Sequence, residues 1–347
     1  MSFQLLKTLC ETPAIPGREE IFRELVIKEL SPLVDELRVD RIGNVITCKK
    51  GSGKNPRKVM IAGHMDEIAH VVKHIDKDGF IFFHSLGGWD PRVMIAQRVK
   101  VWGRKMLNGA VGLKAPHVTP MEERGKVVPI TNLFVDLGLP VAEVKKFVRI
   151  GDPITMDRDL IEMGTMVCGK TLDDRVGVYC MIESMKRLKK HTDDIYAVAT
   201  VQEEIGVRGA KAATFGIDPD IGVALDITIA ADVPGVEERD HLTRLGHGVG
   251  IKILDGYSIS DPRLVTFARE LAEKKKIKYQ MEILTGGGTD AGGMQLSRAG
   301  IPVLTLSIPN RYTHSTVEMC HTGDIEDTIK LMTAFLEESG KFETEYK

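Results

Sequence analysis

Aromatic residues make up only 5% of the 347-residue chain, and its five cysteines include no Cys-x-x-Cys pair. An odd, scattered set (Cys10, Cys48, Cys168, Cys180 and Cys320) argues against a disulfide framework or a thiolate zinc site and fits a reducing, cytoplasmic setting. No apolar run approaches the roughly 20 residues that a membrane-spanning helix needs. The beginning Met1-Ser2-Phe3-Gln4-Leu5 lacks the basic and apolar blocks of a secretory leader, so a soluble protein that is not exported is expected. Neither sign of charge dominates, with 47 basic and 49 acidic residues intermingled for a net charge of -2. The longest cationic run, Lys274-Lys275-Lys276, reads as a helix end in water, which leaves nucleic acid and membrane off the expected partners.

The length allows one large domain plus a smaller one. Pro16-Gly17 precedes a helical pattern of Ile21, Phe22, Leu25, Val26 and Leu30, and two strand candidates follow, Asn44 to Cys48 and Lys58 to Ala62. From about Val71 to Ile161 short β-branched or aromatic runs (Phe80 to Phe83, Arg98 to Val101) alternate with turn signals. These are Asp78-Gly79, Gly87-Gly88, Asp90-Pro91, Asn108-Gly109 and Asp152-Pro153. Thereafter helical patterns (Asp174 to Lys190, Asp261 to Lys276, Asp324 to Glu338) alternate with apolar strands (Ile195 to Val201, Ile221 to Leu225, Val249 to Leu254, Pro302 to Leu306). That alternation predicts an α/β fold, a mixed sheet flanked by helices, with residues 1–66 and 162–347 forming one domain and a small β domain inserted at 67–161. Lys341 to Lys347 reads as a polar end.

The most informative stretch is Gln202-Glu203-Glu204, two carboxylates closing the apolar run Ile195 to Val201. Charge at the end of a core strand needs a cation, strong hydrogen-bond donors or a raised pKa, unless the strand end is simply solvated. Adjacent strand residues face opposite ways, so both serve one site only where the chain turns, and Gly206 and Gly209 supply that turn. Four further places put His or Asp at or beyond a strand end: His64 and Asp66, Asp173-Asp174, Asp226, and His314. In open α/β sheets the carboxyl ends of strands are where ligands gather. Imidazole and carboxylate without thiolate suit an open catalytic Zn²⁺, Co²⁺ or Mn²⁺ site, and two such ions need a bridging carboxylate, terminal ligands and a free carboxylate as base.

Six motifs in order, Gly63-His64-Met65-Asp66-Glu67, Leu172-Asp173-Asp174-Arg175, Gln202-Glu203-Glu204-Ile205-Gly206, Leu225-Asp226, Gly286-Gly287-Gly288-Thr289-Asp290-Ala291 and Arg311-Tyr312-Thr313-His314-Ser315, resemble the M42 family of dinuclear metallo-aminopeptidases, the tetrahedral (TET) or glutamyl aminopeptidases. The resemblance implies a zinc-exopeptidase-like catalytic domain and two divalent ions per subunit, Zn²⁺ or Co²⁺. His64 and Asp226 would be terminal ligands of one ion and Glu204 and His314 of the other, with Asp173 bridging and Glu203 as general base. Asp66 would orient the His64 imidazole, since ligating imidazoles usually donate their second N–H to such a group. The inserted domain would be PDZ-like and mediate dimerisation, with dimers assembling into a tetrahedral dodecamer that acts on peptides. In the family the peptide bond after the bridging aspartate is often cis.

Other residues are read more plainly. Asp174 is expected to cap its helix or pair with Arg175. The glycines of Gly286 to Gly288 lack the Lys-Ser or Lys-Thr of a phosphate loop, so Gly287, Gly288 and Asp290 are expected at the substrate instead. His117, His241, His247 and His321 are expected to be surface or structural. Ile68-Ala69-His70 departs from the family's Ile-Gly-Phe, which leaves His70 either an exposed start to the inserted domain or a cleft residue that alters specificity. Two rival chemistries stay open. A carboxypeptidase or amidase would use Arg208, Arg244 or Arg311 as a carboxylate clamp, and a glycoside hydrolase would need its paired carboxylates about 5 to 9 Å apart.

Overall fold

The computed structural model describes residues 2–344, so the last three residues of the polar Lys341 to Lys347 end lie outside the described part. Eleven strands form one mixed sheet. At its centre Asp194–Thr200, Lys58–His64, Ile221–Ile229 and Val303–Arg311 run parallel to one another, so their carboxyl ends all open at one edge of the sheet. Val45–Cys48 and Glu36–Val39 extend the sheet antiparallel on one side. Glu318–His321, Met166–Gly169 and Ile161–Met163 extend it on the other, while Val249–Leu254 leaves Val303–Arg311 as a branch that carries Tyr279–Ile283.

The period-2 alternation of strand side chains explains why both faces of this sheet are covered. Val59 and Ile61 enter the larger core with the helix Leu172–Arg187, whereas Met60 and Ala62 of the same strand pack on the opposite face with Ala213, Ala291 and Met294. The helix Glu20–Leu30 follows the Pro16-Gly17 turn and buries Phe22, Val26 and Leu30 at the expected four-residue spacing, with Ile21 left in solvent. Asp261 caps the helix Pro262–Lys275 by accepting from the Arg263 N–H (2.8 Å), and His321 caps Thr322–Glu338 through Nδ1, which accepts from the Gly323 N–H (3.0 Å).

Between residues 69 and 156 six strands close into a barrel in the order Ala69–Ile75, Ile81–Leu86, Phe134–Asp136, Met106–Gly112, Arg98–Trp102, Pro153–Met156. Val72, Ile81, Val99, Val101, Val135 and Ile154 fill it, a core separate from that of the sheet. The Asp78-Gly79 signal is a true turn, held by Asp76, whose carboxylate accepts from the N–H groups of Asp78 and Phe80 (both 2.9 Å). Asn108-Gly109 is not a turn. Both lie inside a strand, paired with Lys100 and Val99, and glycine is required there by close approach, because a Cβ would meet Val135 at 2.7 Å.

Candidate active site

The carboxyl ends of the four parallel strands place the predicted residues together. His64 ends its strand, Glu203 and Glu204 lie just beyond Thr200, Asp226 sits within Ile221–Ile229, and His314 follows Val303–Arg311. Asp173 arrives from the head of the Leu172–Arg187 helix, where the Asp173-Asp174 peptide is cis and neither residue has helical dihedrals. Several non-glycine residues at this site hold a left-handed backbone, among them Thr171 (φ 60°), Gln202 (φ 57°), Val207 (φ 50°), Tyr312 (φ 60°) and His314 (φ 59°), strain of the kind that persists where surrounding structure over-determines the chain.

Asp173 lies between two imidazoles. Its Oδ1 is 3.1 Å from His64 Nε2 and its Oδ2 is 3.2 Å from His314 Nε2. Glu204 Oε2 approaches His314 Nε2 at 3.5 Å, and Glu203 Oε2 approaches His64 Nε2 at 3.9 Å. Ligand atoms of His64, Asp173 and Glu204 lie within 4.8 Å of one another, as do those of His64, Asp174 and Asp226. A buried oxygen of Glu204, Oε1, has no hydrogen-bond partner among the described residues. Burial pushes the Glu203 and Glu204 carboxyls well above the usual range, and Asp226 up to about 8, with neighbouring carboxylates adding to each shift. Burial works the same way on Asp173, yet hydrogen bonds from His314 and His64 outweigh it and hold that carboxyl below its ordinary value. Burial also works against the charge of His314, but Asp173 prevails and raises its pKa to about 10. Largely buried carboxylates thus outnumber the imidazoles, the electrostatic pattern of a group of donors short of a cation.

Asp66 works differently from the expectation. Its backbone carbonyl, not its carboxylate, is the near partner of His64 Nδ1 (2.9 Å against 3.7 Å). The carboxylate instead accepts from the N–H of Glu203 (2.9 Å) and of Glu204 (3.2 Å), and so pins the turn that presents both glutamates. Asp174 does more than cap, since it accepts from the Gly177 N–H (3.0 Å) and from the His64 N–H (3.1 Å) while sitting beside Asp226. It does not pair with Arg175, whose guanidinium lies over Phe22 and donates to the carbonyls of Leu9 and Thr12.

A cavity of about 380 Å³ opens over this cluster, and Gly287 and Gly288 line it as expected. Asp290 does not. It is buried behind the site, accepting from Thr200 Oγ1 (2.5 Å), because the helix Asp290–Gln295 starts below the glycine loop and turns the carboxylate toward the sheet. Arg208, Arg244 and Arg311 are absent from the cavity wall, Arg244 being paired with Glu238 (2.7 Å) and Arg311 with Asp232 (2.7 and 2.6 Å). His70 is neither exposed nor in the cavity, because Phe83 (4.6 Å) and Trp89 (4.8 Å) enclose its ring at the barrel wall. The barrel reaches the site through Gly88, where a Cβ would stand 3.0 Å from His314 Nδ1.

Sequence reasoning missed two participants. Glu318 accepts from the Asp173 N–H (3.0 Å) and the His314 N–H (2.9 Å), tying the two loops together. Its only signal in the sequence was a carboxylate four residues after His314. Lys252 lines the cavity from a strand otherwise apolar or glycine, a lysine in a core run that alone hinted at a role.

The M42 glutamyl aminopeptidase description matches residues 43–331 of this chain. The lysyl aminopeptidase of Pyrococcus furiosus is 38% identical, with 97% of each chain covered. Among solved structures, an aminopeptidase from the archaeon Desulfurococcus kamchatkensis superposes with a TM-score of 0.93 at 42% identity, over 96% of this chain and 94% of that one. The Pyrococcus horikoshii TET1 peptidase, described as assembling into a tetrahedron or a large octahedral shell, superposes with a TM-score of 0.86 at 32% identity, over 96% and 99%. With matches of this length on both sequence and fold, and with the family's motif residues gathered at one sheet edge, the chain belongs to the M42 glutamyl aminopeptidase family and is a peptide-bond hydrolase.

Proposed function

We propose that the chain is a metal-dependent aminopeptidase that removes N-terminal residues from peptides. The observation that carries this reading is Asp173, whose two oxygens each face a different histidine while Glu203 and Glu204 adjoin the same pair. The residues present fit a pair of divalent ions, Zn²⁺ or Co²⁺, since the donors are nitrogen and oxygen only and Glu204 Oε1 is buried with no partner among the described residues. His64 and Asp226 would hold one ion, Glu204 and His314 the other, and Asp173 both. Such ions, when bound, acidify a water and polarise a carbonyl.

The chain's own residues supply the rest. Glu203, its carboxyl raised by burial, accepts the proton of the attacking water and passes it to the departing amine. Asp66 keeps Glu203 and Glu204 in register with the histidines through its two N–H bonds. The cavity receives the N-terminal residue. Replacing Glu203 by Gln is expected to keep bound metal and lower kcat by about 10²-fold or more on an aminoacyl p-nitroanilide; a fully active variant would remove Glu203 from its role. An N-acetylated peptide should resist cleavage, and its hydrolysis would favour the amidase or carboxypeptidase rival.

We assign residues 67–161 as an inserted, PDZ-like dimerisation domain built on the six-stranded barrel, with 1–66 and 162–347 as the catalytic domain. Supported by the assembly stated for the TET1 peptidase, dimers of this chain build a tetrahedral dodecamer in the cytoplasm. Five free, buried cysteines accord with that compartment, and among the described residues no helix is long and apolar enough to cross a membrane. Light scattering tests the assembly, and a fully active monomer would refute the need for it.

A further inference from the structure

Glu67 stands next to Asp66, and the two carboxylates divide between the two halves of the site. Asp66 holds the turn of Glu203 and Glu204, whereas Glu67 meets the cationic residues on either side of Asp173 and Asp174. Glu67 Oε2 accepts from Lys170 Nζ (2.6 Å), and Oε1 accepts from the Ala14 N–H (3.2 Å) with Arg175 Nη2 3.5 Å away. Glu67 is 1% exposed, Lys170 6% and Arg175 0%, so the three charges meet out of water. Residues 9–14 close the group from the other side. Arg175 Nη1 donates to the carbonyls of Leu9 and Thr12 (both 2.9 Å), Thr171 Oγ1 to that of Cys10 (2.7 Å), and the Glu67 N–H to that of Ala14 (2.9 Å).

Stability alone does not account for such a group, because the cost of stripping water from three ions offsets most of their attraction, and apolar side chains of similar volume often serve a fold as well. What a hydrogen-bonded cluster of charges adds is direction, since each member holds the next in one geometry. Lys170 and Thr171 lead into the Asp173-Asp174 segment, whose dihedrals are not helical, and Arg175 leads out of it. Fixing both ends therefore fixes where the Asp173 carboxylate stands. We propose that Glu67 is a positioning residue: through Lys170 and Arg175 it sets the Asp173 loop against the glutamate turn held by Asp66, and so sets the spacing between Asp173 and Glu203. The kinetic consequence of that spacing rests on the aminopeptidase reading; its effect on the arrangement of the donors does not.

The test compares the full-length protein with Glu67→Gln and with the double variant Glu67→Gln, Lys170→Met. Zn²⁺ affinity is measured by calorimetry on metal-stripped protein, kcat and KM on the best-cleaved of a set of aminoacyl p-nitroanilides after reloading, and Tm by scanning fluorimetry. Glu67→Gln leaves Lys170 buried without its carboxylate, so Tm is expected to fall by about 10 °C. Zn²⁺ affinity and kcat should each fall about 10- to 100-fold, with KM little changed. The double variant removes the stranded charge. Its Tm is expected to recover most of the loss while affinity and kcat stay low, because an apolar side chain packs without holding the loop in register. Recovery of all three would reduce Glu67 to a counter-ion for Lys170 and overturn the assignment, as would wild-type affinity and kcat in Glu67→Gln. Should the single variant fail to fold, affinity and kcat of the double variant decide in the same way. Failure of wild type to cleave any of the p-nitroanilides would strike the aminopeptidase reading itself, and Zn²⁺ affinity would still decide the role of Glu67.

Discussion

Asp66→Asn is the most discriminating single change at this site, because it alters two bonds and almost no volume. Asp66 is fully buried, and its two oxygens accept separately from Glu203 N–H and Glu204 N–H. Asparagine keeps one oxygen and turns an NH₂ group toward the other N–H, so one charge-assisted bond is lost and a buried donor is left facing a donor. Each loss is worth about 1.5 to 3 kcal/mol, giving a combined cost of about 3 to 6 kcal/mol. At roughly 2 to 4 °C per kcal/mol for a large domain, Tm should fall by about 10 °C. The turn carrying both glutamates loosens with it, and kcat per metal-loaded subunit should drop about 10- to 100-fold, the usual scale for groups that support a metal site. Differential scanning fluorimetry, metal analysis and p-nitroanilide turnover on one preparation check all three. Wild-type Tm and kcat would refute the argument. Loss of metal with kcat per loaded subunit intact would move the action of Asp66 from the glutamate turn to the His64 imidazole.

Other outcomes follow from the same geometry. Chelation should abolish peptide hydrolysis and added Zn²⁺ or Co²⁺ restore it, whereas Asp173→Ala should bind little of either ion by calorimetry; full metal content in that variant would deny Asp173 its shared position. His70, enclosed by Phe83 and Trp89, has its pKa pushed down to about 3 by burial, with His84 adding to the shift. Since the folded value lies below the unfolded one of about 6.5, its neutral ring favours the fold above pH 6.5, and that contribution is lost as pH falls toward 3. Between pH 6.5 and 4.5 this amounts to about 2 kcal/mol. His70→Phe should flatten that part of the urea-measured stability profile, and an equally steep profile would contradict it.

Much of this organisation was legible in one dimension because its signals are local. The apolar strands Lys58–His64 and Asp194–Thr200, the helices capped by Asp261 and His321, and the barrel's turn-rich texture each follow from periodicity and capping over a few residues. Asn108-Gly109 shows the limit of such signals. A strong turn dipeptide became mid-strand because a neighbouring strand leaves no room for a side chain at Gly109. Similarly, His70 looked like a surface position or a cleft residue, and only the aromatic rings packed round it decided otherwise.

What the sequence determined by itself was the chemistry: which carboxylates and imidazoles end strands, in what order, and hence which family they resemble. Tertiary structure decided how those groups divide the work, because hydrogen bonds depend on atoms rather than on residue types. It gave the Asp66 carboxylate to the glutamate turn, sent Asp290 behind the sheet edge, and set Glu318 between the loops of Asp173 and His314. It also stood Lys252 at the cavity wall with its acidic partners behind it. Spacing along a chain predicts where a side chain starts; direction and distance to partners far away in sequence arise only when the strands are laid side by side.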